Sequence, residues 1–213
     1  MQIKKDTIRQ QIIDSGKSLF MEFGFRNTSM RQVAKNSSVS TANIYNYFQN
    51  KDDLFKATVQ NAIDSYTNLL DVAFEEKTWA DKNSWLFSAE VARFHEFVDV
   101  IYNYQDEFMI LFSKSEGSIF ENYDQKIIDL QSTMSQQVND QMTNTQNGFL
   151  KKPVPDFIVR TSARMYMDLI IGGLQNGLSK EIVKERVVEC VYFLFYGYMG
   201  YFSDELRNQQ EVF

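Results

Sequence analysis

From Ser40 to Phe48 the chain reads STANIYNYF, without a single acid or base. Thr41, Asn43, Tyr45, Asn46 and Tyr47 offer hydroxyls, short amides and phenols where a solvated surface helix usually carries Glu and Lys. Short amides can reach base edges, hydroxyls can reach phosphate oxygens, and a stretch without carboxylates does not repel a polyanion. That is the chemistry of nucleic-acid contact. Charge along the chain agrees with it. Residues 1–56 hold nine bases against five acids, whereas the whole chain carries a net charge of −6. A basic head on an acidic body suits a polyanion met at one end only.

Other chemistry is scarce. One histidine and one cysteine cannot supply a zinc site without carboxylates, nor the paired Glu-x-x-His ligands of a di-iron bundle. No glycine-rich phosphate loop and no serine nucleophile elbow occur. No catalytic residue, metal ligand or cofactor is therefore expected. A lone cysteine, Cys190, excludes an intrachain disulfide. The amino terminus lacks an apolar segment of signal-peptide type, and the uncharged run from Cys190 to Ser203 is short for a bilayer. The expectation is a cytoplasmic protein with no membrane partner.

The elements that must position the polar stretch follow from periodicity and caps. Ile8, Ile12, Leu19, Phe20 and Phe23 recur at helical spacing and stop at Gly24, which can close a helix in the left-handed region. Thr28 or Ser29 caps a short second helix with Met30, Val33 and Ala34 inward; Asn36-Ser37-Ser38 makes a turn. Ser40 caps a third helix with Val39, Ile44 and Phe48 inward, and Asn50 with Asp53 opens a fourth. Two short helices about a turn, braced by a longer one, describe a helix-turn-helix, whose second helix enters the major groove of DNA. Thr41, Ala42, Asn43 and Asn46 are expected to face bases, beside the cap Ser40. Thr28, Tyr45, Tyr47 and Lys51 are expected on phosphates.

The run from Leu19 to Phe55 also resembles the amino-terminal domain of TetR-family transcriptional regulators. Gly24-Phe25, Thr28, Val33-Ala34, Val39-Ser40, Tyr45, Phe48, Lys51 and Leu54 stand at the family's spacing, with Ser38 where a turn glycine is common. The resemblance implies an all-α fold: a three-helix DNA-binding domain over 1–49, then a helical ligand-binding and dimerisation domain over 50–213. It further implies double-stranded operator DNA, a small-molecule effector and a homodimer as partners, most often with a repressor's action.

In the body, helices are expected at about 50–74, 84–104, 119–142, 156–176 and 180–206, with a short apolar piece at 108–112 and a loop at 143–155. Tyr66, Phe94, His95, Phe97, Phe108, Phe112, Tyr123, Met134, Met165 and Tyr166 fall where such helices converge. Ordinary core is the better reading of any one of them, but the resemblance implies a cavity among these helices, and they are its candidate lining for a lipophilic ligand. His95 is either a ligand contact or a hydrogen-bonded boundary residue. Arg93 or Arg164, if buried, would instead favour an anionic ligand. The last two helices, about 156–206, are expected to make the dimer. Ile158, Met165, Leu169 and Gly172 stripe the first, with Gly173 and Gly177 beside them; Val183, Val187, Val191, Phe195, Tyr198, Met199 and Phe202 line the second. A rival reading is a helical small-molecule-binding protein or enzyme with a vestigial helix-turn-helix.

Overall fold

The computed structural model describes residues 2–75, 87–144 and 153–202. These residues form α-helices and turns: α1 (Gln2–Asn27), α2 (Met30–Asn36), α3 (Thr41–Ile44), α4 (Lys51–Ala73), α5 (Phe87–Asn103), α6 (Gln105–Ser113), α7 (Tyr123–Asn144), α8 (Asp156–Gln175) and α9 (Lys180–Phe202). The expected start of α5 at Ser84, the middle of the 143–155 loop and everything beyond Phe202 lie outside the described residues. The chain divides into two compact units, Met1–Thr67 with Asn103–Gln125, and Asn68–Tyr102 with Lys126–Phe213. The first unit holds the whole of the expected 1–49 head and adds to it residues 50–67 and 103–125.

The first unit is built on an aromatic core. The Phe55 ring meets Phe20 edge-on at 4.9 Å and Phe25 at 5.2 Å between centroids. Ile12, Ile44, Phe48, Leu54 and Val59 are buried with them, as their spacing predicts. Phe23, expected on the same face, is instead 44% exposed, and Phe25 fills the core in its place. The reason is Gly24, whose φ of 77° breaks the helix one residue earlier and turns the chain inward. The short apolar piece expected at 108–112 lies within a longer helix, α6, with Phe108, Ile110 and Leu111 buried. α6 is fastened to α1 by Lys17, whose ammonium lies 2.9 Å from Glu107 and 3.1 Å from Asp106. α7 begins at Tyr123 and not at Ile119, because Ser118 to Asn122 fold as turns in which the Ile119 N–H donates to Asp52 at 3.1 Å.

In the second unit α8 packs on α9, and Val159, Ala163, Tyr166, Met167, Ile170, Gly173 and Leu174 of α8 are buried. Val183, Val187, Cys190 and Val191 are buried. This corrects the expected dimer face. The three valines form core within their own chain, and Val183 fits against the Cα of Gly173, which offers no side chain. The stripe Ile158, Met165, Leu169 and Gly172 stays half-buried. On α9 it is Tyr192, Phe193 and Tyr196 that face outward, at 57%, 71% and 53% exposure. The side chains of Phe195, Tyr198, Met199 and Phe202 lie outside the described residues.

Candidate nucleic-acid interface

The interface is assembled by caps. Ser29 accepts the Gln32 N–H at 3.3 Å, and the Gln32 side chain accepts the Ser29 N–H at 2.7 Å, a complete capping box that starts α2. Ser40 accepts the Asn43 N–H at 3.3 Å and starts α3. Asn50 accepts the Asp53 N–H at 2.8 Å and starts α4, while Asp53 accepts from Gln49 and not from Asn50. Between α2 and α3 the backbone reverses at Ser38, with φ 54°. α1 braces that turn: Gln11 donates to the Ser37 carbonyl at 2.7 Å, and Ser15 donates to that of Val33 at 3.2 Å.

α3 is shorter than the expected Ser40 to Phe48 helix. Its α-helical part is Thr41–Ile44, after which Asn46 and Tyr47 donate to carbonyls three residues back, so the segment tightens into turns before α4. Ile44 and Phe48 anchor it in the core, and the Arg9 guanidinium lies 5.2 Å from the centre of the Phe48 ring. Ala42, Tyr45 and Asn46 are left exposed, with Thr41, Asn43 and Tyr47 half-buried. The Asn46 amide donates to the Asn43 side-chain oxygen at 3.2 Å, so the two amides share one orientation.

Two residues expected on phosphates are placed otherwise. Thr28 is only 2% exposed, and its hydroxyl lies 2.8 Å from the Gly24 carbonyl and 3.2 Å from that of Leu19. It ties the α1–α2 corner together and presents no hydroxyl to a phosphate. Lys51 donates to the carbonyls of Phe25 at 2.7 Å and Thr28 at 2.8 Å. Burial lowers its ammonium below the usual lysine value, against the opposing pull of Asp52.

The aromatic residues expected around a ligand fall into two sets. In the first unit Tyr66 and Phe108 are fully buried with centroids 5.8 Å apart, and Phe112 stacks on Phe108 at 5.4 Å. Burial raises the Tyr66 phenol; burial and the Asp64 charge push that of Tyr123 up to about 12, so both are neutral donors at ordinary pH. In the second unit Phe94 stacks on Tyr166 at 3.9 Å and lies 6.3 Å from Phe97, while Met134 and Met165 are half-buried. His95 is half-buried, with its Nε2 3.3 Å from the Lys184 carbonyl. Arg164 is exposed and Arg93 half-buried, so Arg164 is not the buried cation that would select an anion. A groove of about 450 Å³ runs along α1 and α4, with Arg9, Asp14, Lys17 and Lys56 in its walls; none of the candidate ligand residues lines it.

Residues 12–58 match the family model described as bacterial regulatory proteins, tetR family. Over 58 residues the chain is 43% identical to the HTH-type transcriptional regulator HbdR of Aromatoleum sp. (strain CIB), covering 27% of this chain and 25% of that one. A second relative, the uncharacterized HTH-type regulator YfiR of Bacillus subtilis, is 29% identical over 38% of this chain and 40% of its own. The chain thus spans well under half the length of these curated relatives. The fold extends further. A TetR-family regulator from Syntrophomonas wolfei superimposes with a TM-score of 0.60 at 19% identity, over 90% of this chain and 96% of that one. The regulator FadR from Bacillus subtilis, solved in complex with stearoyl-CoA, gives 0.59 at 14% identity over 85% and 96%. The capped α2–α3 pair lies within the matched residues 12–58, so this part of the chain is similar to the tetR family of bacterial regulatory proteins, and the described residues share the helical fold of the TetR-family structures.

Proposed function

We propose that the chain is a ligand-responsive, DNA-binding transcriptional regulator of the cytoplasm, acting as a repressor that a lipophilic small molecule releases from its operator. The observation that carries the reading is the acid-free segment from Ser40 to Phe48, held by its caps with Ala42, Tyr45 and Asn46 exposed. Thr41, Ala42, Asn43 and Asn46 face base edges in the major groove. Ser40, Tyr45 and Tyr47 flank them near the phosphates.

A homodimer through about 156–206 sets two such segments in successive major grooves, roughly 34–36 Å apart. The half-buried stripe of α8 and the outward rings of Tyr192, Phe193 and Tyr196 on α9 support that assembly. Tyr66, Phe94, His95, Phe97, Phe108, Phe112, Tyr123, Met134, Met165 and Tyr166 remain the candidate ligand contacts. Stearoyl-CoA in a fold neighbour supports a lipophilic effector. Such an effector shifts the protein off DNA only by as much as it prefers the non-binding conformation.

Enrichment of duplexes from a random pool, followed by gel-shift with and without long-chain acyl effectors, tests the reading. An enriched palindrome supports the DNA-binding dimer. Asn43→Ala then changes the preferred sequence, costing about 1–3 kcal/mol at one base pair per half-site. A pool that yields no enriched sequence sinks the regulator and leaves the helical carrier or enzyme.

A further inference from the structure

Lys51 stands at the first position of α4, and three groups of its own chain converge on its ammonium. They are the Phe25 carbonyl at 2.7 Å, the Thr28 carbonyl at 2.8 Å and the face of the Phe25 ring at 4.1 Å from its centre. Two carbonyl dipoles and a ring face make a compact cation site. A tetrahedral ammonium on a flexible stem fits it; a flat guanidinium, with its donors spread in a plane, does not.

The place of the two carbonyls matters more than their number. Gly24 leaves the helix at φ 77°, so Phe25 and Thr28 form the corner between α1 and α2. The Thr28 hydroxyl and the Phe25 N–H, which donates to Lys114 at 2.8 Å, hold that corner from the other side. Ser29 starts α2 and Asn50 starts α4. Everything between them is the helix-turn-helix. Lys51 therefore bonds, from one end of that segment, to the backbone at its other end, 23 residues away. Closing a loop of that length removes chain freedom that a short recognition segment, with one turn of true α-helix, cannot restrain alone.

We propose that Lys51 is a positioning residue: its ammonium clasps the two ends of the helix-turn-helix and sets the pitch at which α3 meets DNA, in place of the phosphate contact that its charge suggests. The proposal rests on the DNA-binding reading for its consequence, although the clasp itself is a property of the free protein. Desolvation of the ammonium agrees with an internal role.

The test separates a clasp from a phosphate ligand. Full-length wild type, Lys51→Met and Lys51→Arg are titrated against a fluorescent duplex enriched from a random pool by the wild type, across a salt series. A clasp predicts that Lys51→Met weakens binding roughly tenfold, about the size of one charge-assisted hydrogen bond, with an unchanged salt slope. Lys51→Arg then resembles Lys51→Met. A phosphate ligand predicts a slope flatter by about 0.9 and recovery in Lys51→Arg, and that result overturns the proposal.

A second measurement needs no DNA and no variant. In wild type labelled at lysine Cε, the Lys51 methylene resonates upfield under the Phe25 ring and titrates below the surface lysines. Coincidence with the surface lysines overturns the clasp even where Lys51→Met fails to fold. If the wild type enriches no duplex, the DNA-binding reading falls, and the Cε titration alone decides the clasp.

Discussion

Gly173 of α8 lies so close to Val183 of α9 that a methyl group on the glycine would overlap a Val183 γ-carbon. Val183 is buried and β-branched, and so has little freedom to move aside. Gly173→Ala is expected to destabilise the protein by about 1–3 kcal/mol through overpacking. Urea unfolding measures it. Combining it with Val183→Ala should cost less than the sum of the two single changes, because the second removes the obstructing methyls. Strict additivity would show that the two residues are not in contact.

Ser38 occupies the left-handed region at φ 54° with its side chain exposed. That backbone costs an L-residue about 1–2 kcal/mol, of which glycine's greater freedom when unfolded returns about 0.5–1. Ser38→Gly should therefore stabilise by roughly 0.5–1 kcal/mol. The neighbouring Ser37 is the control. It is buried with φ −81° and its hydroxyl donates to the Val33 carbonyl at 2.7 Å, so Ser37→Gly should destabilise. Midpoints in chemical unfolding that shift in opposite directions would verify the pair; a loss at both positions would refute the strain at Ser38.

Asp99 of α5 receives Lys184 at 2.6 Å and Lys180 at 3.1 Å from α9. Burial alone would raise its carboxyl, but the hydrogen bonds and charges of the two lysines outweigh that and hold it below the usual carboxylate range. A folded-state value depressed below the unfolded one contributes stability that is complete above the ordinary carboxylate range. It fades as pH falls through the depressed value. Asp99→Asn should thus cost stability near neutrality and match wild type in strong acid. The effect is modest because the group is more than a third exposed and screened by solvent. A stability gap between wild type and variant that does not narrow as pH falls would contradict the assignment.

Phe193 and Tyr196 face outward on α9, while Val191 is 1% exposed. If the outward rings pair two copies, Phe193→Glu with Tyr196→Glu should yield a folded monomer in analytical ultracentrifugation. Val191→Ala should instead lower the unfolding free energy by about 0.5–2 kcal/mol without dissociation. A wild type that sediments as a monomer at micromolar concentration would remove the interface and the two-groove arrangement with it.

What the sequence by itself determined is local. Ser29, Ser40 and Asn50 are legible as helix starts because each bonds an N–H three residues on, a distance the chain spans without help. Gly24 is legible as a stop because its conformation is its own. The inward set Met30, Val33, Ala34, Ile44 and Phe48 follows from helical period, and so does the exposure of the polar residues opposite. Tertiary structure alone decided the rest. Thr28 and Lys51 look like surface contacts in sequence, since a hydroxyl and an ammonium are normally solvated. They turn inward because Gly24 folds the α1–α2 corner onto the start of α4 and places carbonyls within their reach. The valines of α9 read equally well as interface or core, because burial is the same physics in both. Packing within the chain buries them, with Val183 against the bare Cα of Gly173, and leaves the tyrosines and Phe193 outside.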